Sequence, residues 1–409
     1  MKNKQKTITN ANEVRQNKPN VPTLRFPDFS EEWRSTPMKN VCSFAKGYGI
    51  AKENLSTEGT PCILYGELYT TYKTAIAKDI RSKTQLDPTD LFHSKANDVI
   101  IPCSGETAID IATSVCVPYD DVLLGGDLTV IRSKLNGAFL SNQLNGVRRK
   151  KIATIAQGAS IVHLHADELK KINITYPTRE EQDKIAHFID CLDERIATQN
   201  KIISKYESLI KGLVDYLLDR KGLRYSFKDL YVKAGEGGTP ATENKDYYAE
   251  GTIPFIKIED LNTKYIIHNN DYISELGLKK SSAWMVPDNS IIYSNGATIG
   301  SISINKYPVA TKQGILGIVP SKLVLTEYLY YYMQTTYFRK QIKRITVRGT
   351  MDCAYLKDIN SIPCFVPSVC EQQNYIKILF SIDKKINTER IILNKLKEQK
   401  RYLLSNLFI

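Results

Sequence analysis

The sequence predicts an α+β protein: two globular domains of mixed strands and short helices, each followed by a long helix, with the two helices pairing. Three observations carry this. Residues 176–218 reappear at 366–408 under a gap-free shift of 190 positions. Both copies have an apolar period of alternating four and three. The stretches ahead of the two copies also restate one order of strand-like runs. An internal repeat of this length fixes the plan of a molecule before any single residue is considered.

Taken in order, residues 1–20 are polar and basic and read as a disordered tail. Structure is expected from Val21, where VPTLRFPDFSEEW interleaves apolar and aromatic residues with prolines. Residues 21–175 form the first globular domain, with strand-like runs CILYGEL, DVIIPCS, TSVCVPY and LTVIRS separated by Gly, Pro and Asp. A polar, helix-capable piece, SNQLNGVRRKKIATIAQ, follows. Residues 221–365 form the second domain: TIPFIKIEDL answers TPCILYGELY, NSIIYSNGATIGSISI answers NDVIIPCSGETAIDIA, and TEYLYYYMQTTYFRKQIKRI answers AFLSNQLNGVRRKKIATI. Arg348-Gly349-Thr350 likewise answers Gln157-Gly158-Ala159.

The long helices occupy 176–220 and 366–409. The shift matches Pro177 with Pro367, Glu181 with Glu371, Gln182 with Gln372 and Asp193 with Asp383. The first seam runs Ile185, Ile189, Leu192, Ile196, Gln199, Ile203 and Tyr206, and the second runs Leu379, Ile382, Ile386, Glu389, Leu393 and Leu396. A sustained 3.5-residue period makes a narrow coiled-coil seam, and polar residues such as Gln199 and Glu389 within it fix register at some cost in stability. Pro177 and Pro367 precede the helices, and acids fill the first turns, where the helix dipole favours them. A helix over 180–218 is roughly 58 Å long at about 1.5 Å per residue, enough to act as a spacer. Residues 179–220 carry seven Lys/Arg against nine Asp/Glu, whereas 371–401 carry eight against four. Opposite balances favour pairing of these two helices over pairing of like copies. The alternative is that each helix packs separately on its own domain.

The 409 residues have room for two or three domains with real cores, and the net charge of +12 suggests an anionic partner. Eight cysteines are scattered without a CxxC pair, a pattern of reduced thiols. The N-terminal stretch lacks the apolar core of a signal peptide, and no apolar run approaches about 20 residues, so a soluble cytoplasmic protein without membrane contact is expected.

No motif supports catalysis by this chain. There is no GxxxxGK[ST] phosphate loop, and Gly296 to Ser301 is a turn between strands. There is no GxGxxG after a strand, and no N-P-P-Y or D-P-P-Y stretch for a flipped base. Pro27-Asp28 and Pro287-Asp288 are not followed by a suitably placed Glu/Asp-x-Lys, which argues against a common nuclease arrangement. His163 and His165 share a strand face, but with no third ligand in view a structural role is expected.

What remains is a set of Gly-centred polar loops, repeated in both halves beside basic and aromatic residues. Polar side chains on loops read base edges, while Lys and Arg grip phosphates. The candidates for DNA contact are Tyr65, Glu67, Ser104, Glu106, Thr107 and Gln157 in the first half. In the second they are Lys257, Glu259, Asp260, Asn295, Thr298, Lys312, Gln313, Arg348 and Thr350. An ordinary turn residue is the competing reading for each. Arg148 and Arg149, with Lys150 and Lys151, form the densest basic run, and Lys343 and Arg344, with Arg339 and Lys340, stand at the matching place. A solvated face is the alternative there, against which recurrence in both halves favours phosphate contact.

With two dissimilar globular domains, each followed by a long helix opening Pro-x-x-x-Glu-Gln, the chain resembles the specificity subunit of type I restriction–modification systems. VPTLRFPDFSEEW and IIYSNGATIG resemble that family too, while SGETAIDIA and GGDLTVI depart from its glycine pattern. The resemblance covers everything after residue 20. It implies that each globular domain is a target-recognition domain reading one half of a split double-stranded DNA sequence. It implies that the helices form an antiparallel coiled coil setting the unread gap. It further implies that two modification subunits dock on the chain and methylate adenine with S-adenosyl-methionine, and that restriction subunits using ATP and Mg²⁺ can join. On this reading none of those cofactors binds the chain itself. A stand-alone DNA modification enzyme and a coiled-coil scaffold for protein partners are the alternatives from other classes.

Overall fold

The computed structural model describes residues 20–158, 161–296, 298–347 and 352–409. The chain divides into two compact units, one of residues 1–200 with 391–409 and one of residues 201–390. Each unit holds one globular domain together with a stretch of both long helices.

In the first unit the domain is closed at its base by Arg34–Pro37, which pairs antiparallel with Asn173–Tyr176. Its main sheet runs Cys42–Lys46, Leu128–Ser133, Asp98–Pro102 and Val115–Val117, in that order and antiparallel throughout. Asp98–Pro102 is buried along its whole length, as its near-continuous apolar run requires. The one acid in it, Asp98, is held by Arg132 through two hydrogen bonds of 2.7 and 2.6 Å, which offsets the cost of burying its charge. A second sheet contains Thr60–Ile63 paired parallel to Leu123–Leu124. CILYGEL is thus only half strand: after Ile63 it turns into a short helix, Glu67–Thr70. Helices Gly137–Asn145 and Arg149–Ile155 occupy the polar stretch before the long helix. The core gathers Trp33, Phe139 and Phe408, whose ring centroids lie 5.7 Å (Trp33–Phe139) and 5.2 Å (Phe139–Phe408) apart.

The second unit repeats the plan. Leu223–Ser226 pairs with Pro363–Val366. The main sheet runs Tyr231–Glu236, Ile315–Pro320, Ile291–Ser294, Ile302–Asn305 and Tyr265–Ile266. Ile253–Ile256 lies parallel to Ala310–Thr311, as Thr60–Ile63 does to Leu123–Leu124. Helices Thr326–Tyr332 and Thr336–Ile345 correspond to 137–145 and 149–155. Their caps correspond too: the Asn136 side chain accepts the Phe139 N–H at 2.9 Å, and Thr335 Oγ1 accepts the Phe338 N–H at 3.1 Å. Between the central helix and Leu223, Gly222 adopts φ +99°, and a Cβ there would sit 2.2 Å from the Val366 carbonyl carbon, so only glycine makes this turn.

The long helices span Arg179–Leu218 and Val369–Asn406. They run antiparallel in each unit, and the ion pairs between them follow the charge asymmetry. In the first unit Lys400 Nζ meets Asp193 at 2.5 Å. In the second Arg390 meets Glu207 at 2.6 Å. Separate packing of each helix on its own domain is therefore excluded. In the first unit Ile185, Ile189, Leu192, Gln199, Leu393 and Leu396 are buried and Ile196 is half-buried. In the second Ile203, Leu379, Ile386 and Glu389 are buried, with Tyr206 and Ile382 half-buried. Glu389 also takes the Lys385 ammonium of its own helix at 2.8 Å.

The Pro-x-x-x-Glu-Gln opening ties each helix to its domain. Gln182 accepts the Asn136 N–H at 2.9 Å and donates to the Pro177 carbonyl at 2.9 Å. Gln372 accepts the Leu325 N–H at 2.8 Å and donates to Pro367 and Leu323. Among the described residues no helix is long and apolar enough to cross a membrane.

Candidate nucleic-acid interface

In the second domain, backbone hydrogen bonds gather the polar loops into one surface. The Lys312 N–H donates to the Ile256 carbonyl at 3.0 Å, bringing 312–314 beside 257–260. The Asn295 and Gly296 N–H groups both donate to the Gly314 carbonyl, at 3.0 and 3.2 Å. The Ala354 N–H donates to the Asn295 carbonyl at 2.9 Å. Glu259, Thr298, Lys312 and Gln313 are exposed on this surface. Lys257 is committed to Asp271 at 2.7 Å, and Asp260 accepts the Lys257 N–H at 2.8 Å, so both shape the loop. Asn295 corrects its sequence assignment: it is fully buried, donating to the Ala354 carbonyl, and is a framework residue. Arg348 and Thr350 lie outside the described residues.

Helix Thr336–Ile345 turns Phe338 and Ile342 inward and leaves Arg339, Lys340, Lys343 and Arg344 exposed. Among the described residues none of these four cations is in an ion pair. Arg339 and Lys343 border a cavity of about 460 Å³ with Gly300, Ser301, Thr346 and Asp352. Burial pushes the Tyr293 phenol at its wall upward, with Arg339 pulling the other way. Cations outside any ion pair, beside backbone-lined loops, are what a phosphate chain attracts.

The first domain uses its corresponding residues differently. The Glu67 carboxylate accepts the Leu64 N–H at 2.8 Å and the Ser82 hydroxyl at 2.7 Å, closing its own loop. Tyr65 packs against the core. Ser104 is buried and donates to Asp127 at 3.1 Å. Thr107 caps the short helix 108–111, while Glu106 and the Gln157 side chain are exposed. The basic run is also corrected. Arg148 donates to the Asn173 carbonyl at 2.6 Å, and burial lowers its guanidinium pKa. Arg149 donates to the Ile109 carbonyl at 3.0 Å. Lys150 and Lys151 are the members of that run left exposed, because the helix 149–155 turns its first residue back onto the domain.

His163 and His165 stand out from this face. On the stretch 162–165, Val162 and Leu164 point inward, while both imidazoles are exposed beside a cavity of about 380 Å³ that Lys46, Cys103, Asp127 and Lys170 also line. The V-H-L-H alternation was the sequence signal for this placement. Among the described residues no group of three or more His, Cys, Asp or Glu could hold a metal ion. The cysteines are free thiols, and burial pushes Cys364 up to about 12.

The chain was compared with known proteins. A family model described as the type I restriction modification DNA specificity domain matches twice, over residues 30–208 and 225–398. The type I restriction enzyme MjaIX specificity subunit of Methanocaldococcus jannaschii is 32% identical over 40% of this chain, an alignment that spans only 38% of that protein's length. The putative type I restriction enzyme MjaX specificity subunit of the same organism is 23% identical over 94% of this chain and 95% of its own. The crystal structure of the type I restriction–modification S subunit from M. genitalium superposes with a TM-score of 0.57 at 17% identity, covering 95% of this chain and 99% of that one, and so shares its fold. Each of the two family matches takes in one globular domain and a long helix, the unit that the 190-residue repeat defines. The chain belongs to the type I restriction modification DNA specificity family and carries its domain twice.

Proposed function

We propose that this chain is the DNA-recognition subunit of a type I restriction–modification complex. The domain within 21–175 reads one half of a split double-stranded target, and the domain within 221–365 reads the other. The paired helices set the gap between them. The single observation that carries this is the doubled family domain on two folds of matching topology. The chain itself performs no chemistry. Two modification subunits bring S-adenosyl-methionine and methylate adenine, and restriction subunits bring ATP and Mg²⁺. The complex works in the cytoplasm, where the DNA is.

Splitting the target suits the energetics. Each well-read base pair discriminates by about 1–3 kcal/mol, so one short half-site is weakly specific. Two domains on a stiff connection add their contributions without the entropy loss of a flexible linker. The test is the methylome of a host expressing the chain with its modification partner, against a strain lacking the chain. A split adenine-methylated motif that vanishes on deletion is expected. An unchanged methylome, together with DNA binding by the purified chain that ignores salt, would leave a protein scaffold instead.

A further inference from the structure

We propose that the outward side chains of a narrow β-ribbon, His163 and His165 in the first domain and Tyr355 in the second, contact base edges in the major groove. They would set which half-site each domain reads. The inference rests on the DNA-recognition reading above and names the residues that make it specific.

The ribbon is the same in both domains. Gln157 and His163 exchange both backbone hydrogen bonds, at 2.9 and 2.7 Å, and Val347 and Cys353 do so at 3.0 and 3.1 Å. Both residues of each pair are displaced by the 190-residue shift of the repeat. A neighbouring segment supports it in each case: Ser104–Gly105 pairs with Val162–His163, and the Ala354 N–H bonds to Asn295. The inward residue that follows each bridge is apolar and buried in both, with Leu164 1% and Ala354 0% exposed. The outward positions differ in kind: two exposed imidazoles in one domain, and in the other an exposed phenol beside a half-buried thiol that accepts from the Asn295 amide. A constant frame carrying unlike side chains is what two domains need in order to read unlike half-sites.

The dimensions agree. Alternate residues of a strand are about 6.6 Å apart, close to two base-pair steps of about 3.4 Å each. A neutral imidazole offers one donor and one acceptor, and a phenol offers both, so each can meet a purine N7 or an exocyclic amine. Charge around the histidines separates base contact from phosphate contact. Asp127, 3.9 Å from Lys46, shares their cavity, and its carboxylate repels a phosphate there while Lys46 and Lys170 attract the flanking backbone.

The experiment uses the full chain assembled with its modification partner and duplexes carrying single base changes across the methylated motif. Binding ratios are measured for the native complex and for complexes carrying His163→Ala with His165→Ala, or His163→Cys with His165→Tyr. Discrimination at one or two base positions of one half-site should fall about tenfold or more, with the other half-site unaffected. The Cys/Tyr exchange should alter the preferred base at those positions. Unchanged ratios in both variants would overturn the ribbon assignment. So would an equal loss at both half-sites accompanied by a lowered melting temperature, which marks a structural role. If the native complex itself discriminated at neither half, the recognition reading would be what failed.

Discussion

Glu181 and Glu371 hold the same place in the repeat and do different work. Glu181 is 1% exposed and takes Arg25 through two hydrogen bonds of 2.8 and 2.7 Å, which fastens the segment after Val21 to the central helix. Phe26 against Phe188 and the Leu24 N–H on the Asn406 carbonyl complete that attachment. Glu371 is exposed and accepts from the Ser368 N–H and hydroxyl, capping its own helix, and those bonds hold its carboxyl below the usual range. Removing one partner of a buried pair strands the other charge. Glu181→Gln should therefore lower unfolding free energy by about 3 kcal/mol in urea denaturation, while Glu371→Gln stays close to native. The small contribution of Glu371 has a definite sign: a depressed carboxyl stabilises above its ordinary value of 4.5 and loses that effect as pH falls through the lowered one. A Glu371→Gln chain should thus lack that part of the acid-side loss of stability.

At the scale of the element, the two basic helices differ more than their compositions do. Thr336–Ile345 starts at a capped Thr335 and sets its cations on the face away from Phe338 and Ile342. Arg149–Ile155 is shorter, and Arg148 and Arg149 are spent on carbonyls of the domain. Phosphate contacts appear in the salt dependence of binding, at a slope of about 0.9 per phosphate on a log–log plot. Lys343→Gln with Arg344→Gln should reduce that slope by about 2 in the assembled complex. Arg148→Gln should leave it unchanged and lower stability instead. Asp383 shows the same divergence on a long helix. Its repeat partner Asp193 meets Lys400 of the other helix, whereas Asp383 meets Lys264 at 3.1 Å and accepts from the Tyr331 hydroxyl. Position 210, which matches Lys400 under the shift, is Ile, so in the second unit the domain supplies the cation.

At the scale of the molecule, the helices carry the gap in the proposed function. Inserting one helical turn, about 5.4 Å, at matched positions of both helices should change the permitted gap by one to two base pairs while both half-sites stay the same. The methylome reads this directly, and an unaltered gap would refute the spacer role. The sequence by itself determined the duplication, the α+β class, the long helices and their seam. Each is a periodic pattern over many residues, and burial of a repeated apolar stripe leaves few alternatives. Opposite charge balances favoured pairing of the helices, which the ion pairs Lys400–Asp193 and Arg390–Glu207 established. Only the tertiary structure decided which polar residues are exposed and which are frame. Asn295, Arg148 and Glu67 read as surface groups in a string of letters, but the first two are claimed by backbone carbonyls brought close through folding, and Glu67 by the Ser82 hydroxyl and the Leu64 N–H. His163 and His165 read as structural, yet the ribbon register turns both outward. A loop side chain's role depends on non-local neighbours, and no local spacing encodes those.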